Sequence, residues 1–345
     1  MILSILYFIV ILGIIVFVHE FGHFFFAKLF GIYVHEFAIG MGPKIFSWKG
    51  KSKETEYSLR AIPIGGFCSL AGEGAEEDKK LPKDRLLQAK PVWQRFLVMF
   101  FGAGNNFLLA LLVLFLLGLI VGSPSTSPVI PSVIEGSPAQ IAGMQGGDEI
   151  RYIDGNRTKT LDDVQLYLTI ANGETEITVL RNNSEITYKI TPLDEEEAKV
   201  KGYSYGMEFS KEYKYGIINA IKYAFSKFYA LVRQMVLTLK GLFTGGISVK
   251  NLSGPVGIYS AVDSTRSSGF TNLLYLLALL SLNVGFVNLI PFPAFDGGRI
   301  LFLIIEKIKG KPVKAETENL VHSIGFFILL ALILYVTIND IIRLF

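Results

Sequence analysis

His19-Glu20-Phe21-Gly22-His23 is the stretch of this sequence best equipped for chemistry. Histidines at i and i+4 share one face of a helix, a turn apart, so their ring nitrogens can meet at one metal ion. Glu20 falls on the shoulder of that face, where a carboxylate can take a proton from metal-activated water. The same pattern arises by chance in soluble helices, where the histidines bind nothing. Its setting argues for function here. Residues 2–18 form an unbroken apolar run, and the apolar pattern resumes after Glu20 as far as Ala27. A charged Asp, Lys or Arg at the centre of a spanning helix costs about 2.5–3.5 kcal/mol on insertion scales, so ionisable groups at that depth mark function.

Catalytic zinc takes three protein ligands and keeps a position for water. The third ligand must come from another segment, and Asp296 is the candidate. It stands in Asn288-Leu289-Ile290-Pro291-Phe292-Pro293-Ala294-Phe295-Asp296-Gly297-Gly298, where two prolines break an apolar run and can turn the carboxylate inward. Spacing alone fits a helix-capping aspartate equally well. His35 and His322 match no metal motif and read as polar residues near membrane boundaries.

These groups need helices to carry them, and the composition says where those helices sit. The 345 residues are 51% hydrophobic and only 18% charged, with mean hydropathy +0.44. Soluble chains carry about 25% charge, so the deficit points to a membrane protein. Runs at 2–18, 96–121, 267–295 and 321–339 lack charge and meet or approach the ~20 residues that cross a bilayer. The first run lacks a basic leader and a small-residue cleavage site, so it is expected to span and not to be a secretory signal. Lys and Arg gather in the loops between runs one and two and between runs three and four. That bias puts those loops in the cytoplasm, both termini outside, and residues 122–266 on the external side. Net charge +3 gives no reason to expect nucleic acid, and Cys68, the single cysteine, cannot form an internal disulfide.

Between the second and third runs the pattern changes. Strands are expected over 129–134 and 149–153, helices over 138–142 and 161–171, and a hairpin of 176–181 with 186–191 around Asn182-Asn183. Residues 216–243 read as an amphipathic helix, with Ile217, Ile221, Ala224, Phe228, Leu231, Met235, Leu239 and Leu242 on its stripe. Lys222, Lys227, Arg233 and Lys240 lie off that stripe, so this helix is expected on the outer surface or against the core. Residues 34–72 carry Gly40-Met41-Gly42-Pro43 and Ile64-Gly65-Gly66-Phe67 around β-prone stretches. A membrane-associated β-loop is expected there, with 73–84 a charged linker.

Taken together, these motifs resemble the site-2 protease family (M50 type), in its bacterial PDZ-containing branch of regulator-of-sigma intramembrane metalloproteases. The resemblance rests on His19–His23, on the Asn288–Gly298 pattern, on Gly254-Pro255-Val256-Gly257-Ile258, and on PDZ-like motifs. Those motifs are Gly136-Ser137-Pro138-Ala139, Ala142-Gly143-Met144 and Gly147-Asp148-Glu149-Ile150. Phe295 stands where the family usually has leucine, and Ala103 replaces proline in Gly102-Ala103-Gly104-Asn105-Asn106-Phe107. Only one PDZ segment is evident, where some relatives carry two.

The resemblance implies that His19, His23 and Asp296 bind Zn2+ and that Glu20 activates water. It further implies that Asn288 holds substrate backbone and that the loop at Gly40 and Gly42 pairs with unwound substrate. The expected fold is a polytopic α-helical membrane protein of about four transmembrane helices, with a β-loop and one external α+β PDZ domain. Its domains are 1–121 (two spans and the β-loop at 34–72), 122–210 (PDZ), 211–266 (amphipathic helix and linker) and 267–345 (two spans). The expected protein is a multi-pass bacterial cell-membrane endopeptidase. Its substrates are single-pass membrane proteins or peptides, such as anti-sigma factors or remnant signal peptides, and its PDZ ligand is an exposed chain terminus. A silent PDZ scaffold would lack the catalytic groups. A metal transporter would show a polar route through the bilayer and no HExxH glutamate.

Overall fold

Long apolar runs with few charges give long helices, and among the described residues four have spanning length and composition: Ile2–Leu29 (α1), Val92–Ile120 (α2), Phe270–Leu289 and Glu316–Arg343. The computed structural model describes residues 2–50, 53–72, 78, 80–171, 173–209, 212–245, 248 and 252–343. After α1 come strands β1 (Val34–Lys49) and β2 (Glu56–Leu70), then α2. Next are β3 (Ser123–Pro124), β4 (Ser132–Val133), α3 (Pro138–Ile141), β5 (Glu149–Ile153), β6 (Asn156–Arg157) and α4 (Leu161–Ile170). There follow β7 (Thr175–Arg181), β8 (Ser184–Ile190), α5 (Glu195–Lys201), β9 (Met207–Glu208), β10 (Tyr213–Lys214) and α6 (Ile217–Thr244). The chain closes with α7 (Pro255–Ser267), α8 (Phe270–Leu289), α9 (Asp296–Lys309) and α10 (Ala315–Arg343). Two compact units result: residues 1–113 with 235–345, and residues 114–234.

In the first unit, α1 buries Ser4, Ile11, Ile15, His19, Gly22, His23 and Ala27 along one stripe and exposes apolar side chains elsewhere. A helix that is apolar all round, yet half uncovered, is suited to lipid. Ala27, Ile32, Val34, Leu70, Leu87, Val98, Met99 and Leu303 form a core where α1, the β-loop, α2 and α9 meet. The β-loop is a bent antiparallel pair. Glu36–Ile39 has partners on both sides, Gly66–Ser69 and Glu56–Leu59, and Phe46–Lys49 pairs with the far side of Glu56–Leu59. Two or more strands were expected in this loop, and the fold-back of β1 and β2 makes a four-stretch sheet of them. Of the charged linker, residues 73–77 and 79 lie outside the described residues. Asp78 is anchored, accepting the Gly72 N–H at 2.9 Å and facing His35 Nε2 at 2.8 Å.

The segment expected to be a linker before the third span contains α7. Proline at its first turn suits a helix start, and Asp340 of α10 accepts the N–H groups of Gly254 and Gly257, both at 2.8 Å. Thus the Gly-Pro-Val-Gly-Ile stretch is a helix N-terminus capped by a buried carboxylate from another helix. The third apolar run is shorter than its 29 uncharged residues: α8 stops at Leu289, before Pro291 and Pro293.

In the second unit β6-β5-β7-β8 form one antiparallel sheet, with the two-stranded ladders β4–β9 and β3–β10 beside it in sequence order. The strand expected over 129–134 contracts to β4 and a bridge from Val129 to Glu149, because Pro131 has no N–H for a ladder. The hairpin turn places both Asn182 (φ 51°) and Asn183 (φ 62°) in the left-handed region, as a two-residue turn of its twist requires. Thr160 and Asp163 form a capping box at the start of α4. On α6, Lys227 pairs with Asp162, and Arg233 meets Asp163 at 2.6 Å, so two of its cations face α4. Its buried residues are Ala220, Ala224, Ala230 and Leu231, while Ile217 and Ile221 of the expected stripe are exposed.

Candidate active site

α1 carries His19 and His23 one turn apart, both buried, at 9% and 8% exposure. Their Nε2 atoms lie 3.3 Å from each other. Asp296 Oδ2 lies 3.2 Å from His19 Nε2 and 3.4 Å from His23 Nε2. Although 272 residues separate His23 from Asp296 in sequence, the three are the one such cluster among the described residues.

Local chemistry explains how Asp296 gets there. Pro291 and Pro293 forbid a continuous helix, and the backbone folds back over residues 290–295 before α9 begins at Asp296. A Cβ on Gly298 would stand 2.5 Å from the Phe292 carbonyl oxygen, and one on Gly297 would clash with the carbonyls of Leu289 and Ile290. The two glycines let the loop lie on the first turn of α9. Ala294, at φ 79°, is held in the left-handed region while its N–H donates to His322 Nδ1 at 3.1 Å. His322 thus supports the loop that presents Asp296. α9 is tied to α2 by Arg95 and Glu306, one arm of the pair at 3.0 Å.

The donor set fits a metal ion. A carbonyl oxygen can only accept, so the Val98 oxygen, 2.8 Å from His23 Nδ1, fixes the proton on Nδ1 and leaves a lone pair on Nε2. Asp296 Oδ2 is buried without a hydrogen-bond partner. Two ring nitrogens and a carboxylate oxygen held this close are satisfied by a proton or a cation among them, and the geometry suits a cation. Tetrahedral ligands at about 2.0–2.1 Å from zinc stand about 3.3–3.4 Å apart, and the observed edges are 3.2, 3.3 and 3.4 Å. Two nitrogens and one carboxylate oxygen are the donor types of a three-ligand catalytic zinc set.

Glu20 is half-buried beside this triangle, and the Cys68 backbone N–H of β2 donates to its carboxylate. A Cβ on Gly66 would sit 3.4 Å from Glu20 Cγ, so β2 passes in contact with the glutamate. Gly40 (φ 85°) and Gly42 (φ 83°) lie at an irregularity of β1. A Cβ on Gly40 would come 2.6 Å from the Ile62 carbonyl oxygen, so a side chain is excluded there. Asn288 is half-buried on the last turn of α8 and is not a member of the cluster. Sequence reasoning missed Gly66 and Cys68 as neighbours of Glu20, and Val98 as partner of His23. A main-chain contact between distant segments has no side-chain signature, though the Gly65-Gly66 pair signalled a close backbone approach.

α2 completes the surroundings with Val98, Gly102 and Asn106 at four-residue spacing on one face. Gly102 leaves room for the His23 ring, where a Cβ would overlap it. His19 Nδ1 lies 3.2 Å from the Asn106 amide.

The profile of peptidase family M50 matches residues 7–332. A Clostridium perfringens protein named as a zinc metalloprotease is 40% identical over 330 residues, covering 95% of each chain. Zinc metalloprotease RasP of Bacillus licheniformis is 34% identical, and the regulator of sigma-W protease RasP of Bacillus subtilis 33%, each over 99% of both chains. Those two alignments run over 425 and 422 positions, more than the 345 residues here, so the Bacillus chains carry insertions relative to this one.

Proposed function

The chain belongs to peptidase family M50, and on that premise we propose that it is a membrane-embedded zinc metalloendopeptidase that cuts the transmembrane segments of other membrane proteins. One observation carries this reading: the 3.2–3.4 Å triangle of His19, His23 and Asp296, set between helices of which two have spanning length. His19 and His23 offer neutral nitrogens and Asp296 one negative charge to Zn2+. When bound, zinc supplies a Lewis acid that polarises a scissile carbonyl and brings the pKa of water toward about 7. Glu20 takes the proton of the attacking water and passes it to the leaving amine. The Cys68 N–H holds the carboxylate against β2 while it does so.

A transmembrane helix hides its carbonyls in its own hydrogen bonds, so substrate has to unwind locally before attack. The β-loop, with its bulge at Gly40 and Gly42, offers main-chain groups for an unwound stretch, which would give broad sequence tolerance. Asn288, just before the proline-broken turn, is the side chain best placed to hold substrate backbone. Substrates are single-pass membrane proteins or peptides. A relative named for sigma-W regulation favours anti-sigma factors among them, and remnant signal peptides fit the same chemistry. Residues 122–210 read as a PDZ domain whose sheet edge takes an exposed chain terminus. We infer a position in the bacterial cell membrane with the Lys- and Arg-rich loops cytoplasmic, and with both termini and the PDZ domain external.

The test is cleavage in proteoliposomes of a single-span substrate, with the cut mapped by mass spectrometry. Wild type cuts within the span, and Glu20→Gln does not cut while keeping its zinc. A cut confined to soluble segments, or substantial turnover by Glu20→Gln, would overturn the reading.

A further inference from the structure

We propose that Asn106 is the positioning residue for His19: in the zinc-bound site its side-chain oxygen accepts the Nδ1–H of His19 and so keeps Nε2 bare for the metal. This rests on the three-ligand reading given above.

His23 gains its ligand tautomer from the Val98 carbonyl, which can only accept. His19 has no carbonyl in that role. Its Nδ1 faces an amide, whose two ends have opposite hydrogen-bonding sense. As the amide stands, Nδ2 lies 3.2 Å from Nδ1 and Oδ1 is buried without a partner. In that orientation Nδ2 donates to Nδ1, which moves the ring proton to Nε2, the atom that faces His23 and Asp296. A protonated Nε2 can approach Asp296 Oδ2 but cannot bind a cation. Half a turn of the amide reverses the sense: Oδ1 then accepts from Nδ1–H, and Nε2 presents a lone pair. No hydrogen bond on Oδ1 resists that turn, so the metal selects the second orientation.

The rest of the residue is fixed. Asn106 is fully buried, and its backbone carbonyl accepts the Ser281 hydroxyl of α8 at 2.9 Å. Val98, Gly102 and Asn106 thus serve the histidine pair from one face of α2: a carbonyl for one ring, space for that ring, and an amide for the other. Partners of this kind orient metal-binding imidazoles, and their loss typically lowers metal affinity roughly 10–100-fold.

The experiment measures zinc affinity of the purified full chain by chelator competition, alongside its elution as a folded, monodisperse species. Asn106→Leu and Asn106→Ala remove the acceptor; Asn106→Asp keeps an acceptor and loses the donor; His19→Ala is the reference. The proposal expects the Leu and Ala variants to bind zinc roughly 10–100-fold more weakly, and the Asp variant to stay near wild type. A merely structural amide would give the opposite order, since a buried carboxylate disturbs packing more than leucine does. Wild-type affinity in both the Leu and Ala variants overturns the proposal, as does a loss in a folded Asp variant equal to that in Leu. If Asn106→Asp does not fold, the Leu and Ala variants still decide it. Failure of the underlying reading looks different: His19→Ala would then keep its zinc.

Discussion

Gly102→Ala adds a single methyl group to α2, and the geometry makes it severe. The new Cβ would stand 2.5 Å from His23 Cε1 and 3.0 Å from Cδ2. Carbon–carbon contacts settle at about 3.5–4.0 Å, so about 1 Å must be found. Either α2 retreats or the ring tilts. α2 is held by the Phe26–Phe101 stack at 4.1 Å, by Ser281 on the Asn106 carbonyl, and by Arg95 on Glu306. The ring is held on its far nitrogen by one hydrogen bond from Nδ1 to Val98. Breaking one bond is cheaper than breaking three contacts, so the ring yields. Metal–ligand distances tolerate about 0.2 Å, and an error near 1 Å at a catalytic group costs about 100-fold in rate. We expect Gly102→Ala to fold, with overpacking of about 1–3 kcal/mol, to bind zinc weakly, and to lose about 100-fold in cleavage. Gly13→Ala on α1, where a Cβ meets nothing within 4 Å, is the control and keeps both. Zinc content and cleavage rate are read on the same preparations. A Gly102→Ala protein with wild-type zinc and rate would refute the placement of α2 against His23.

Three further outcomes follow from other parts of the molecule. Asp340→Ala orphans the Gly254 and Gly257 N–H groups at about 1–3 kcal/mol each, and faster amide exchange confined to α7 checks it. Arg181→Leu strands the fully buried Asp148 carboxylate, which Arg181 now meets at 2.5 and 2.7 Å. The unit of residues 114–234 should lose about 3–5 kcal/mol in denaturant unfolding. Burial pushes the Glu36 carboxyl up, but hydrogen bonds from Ser58 and Arg60 and the charge of Lys44 outweigh it and hold it below its usual 4.5. Its folded value is the lower one, so its stabilisation is present at neutral pH and is lost as pH falls through that value. In zinc-free protein the amides of β1 and β2 should therefore lose protection on acidification, and Glu36→Gln should reduce that dependence, with Glu54 and Glu56, also held low by basic partners, accounting for the rest.

The parts legible in the sequence were those set by local periodicity. The four apolar runs hold the four helices that, among the described residues, are long and apolar enough to cross a membrane, because an apolar stretch satisfies its backbone best within its own helix. His19 and His23 were legible because four residues make one helical turn. Asp296 was not settled by spacing, since nothing local ties it to α1; the resemblance supplied it and the geometry brings it into the cluster. The proline break was readable, but the fold-back onto Gly297 and Gly298 and its support by His322 depend on packing across the chain. The contribution of α2 was hidden for the same reason. Val98 acts through its backbone and Gly102 through having no side chain, so neither residue type advertises its part. α7 was mistaken for linker because its cap, Asp340, lies more than seventy residues downstream.

Asp296 is proposed to complete a zinc site with the two histidines of α1. The most direct test is zinc per chain in purified Asp296→Ala, measured beside wild type after the same chelator challenge. Wild type should hold close to one zinc per chain, and the variant should lose most of it. Equal zinc in the two would contradict it, and Asp296 would then be no more than the capping residue of α9.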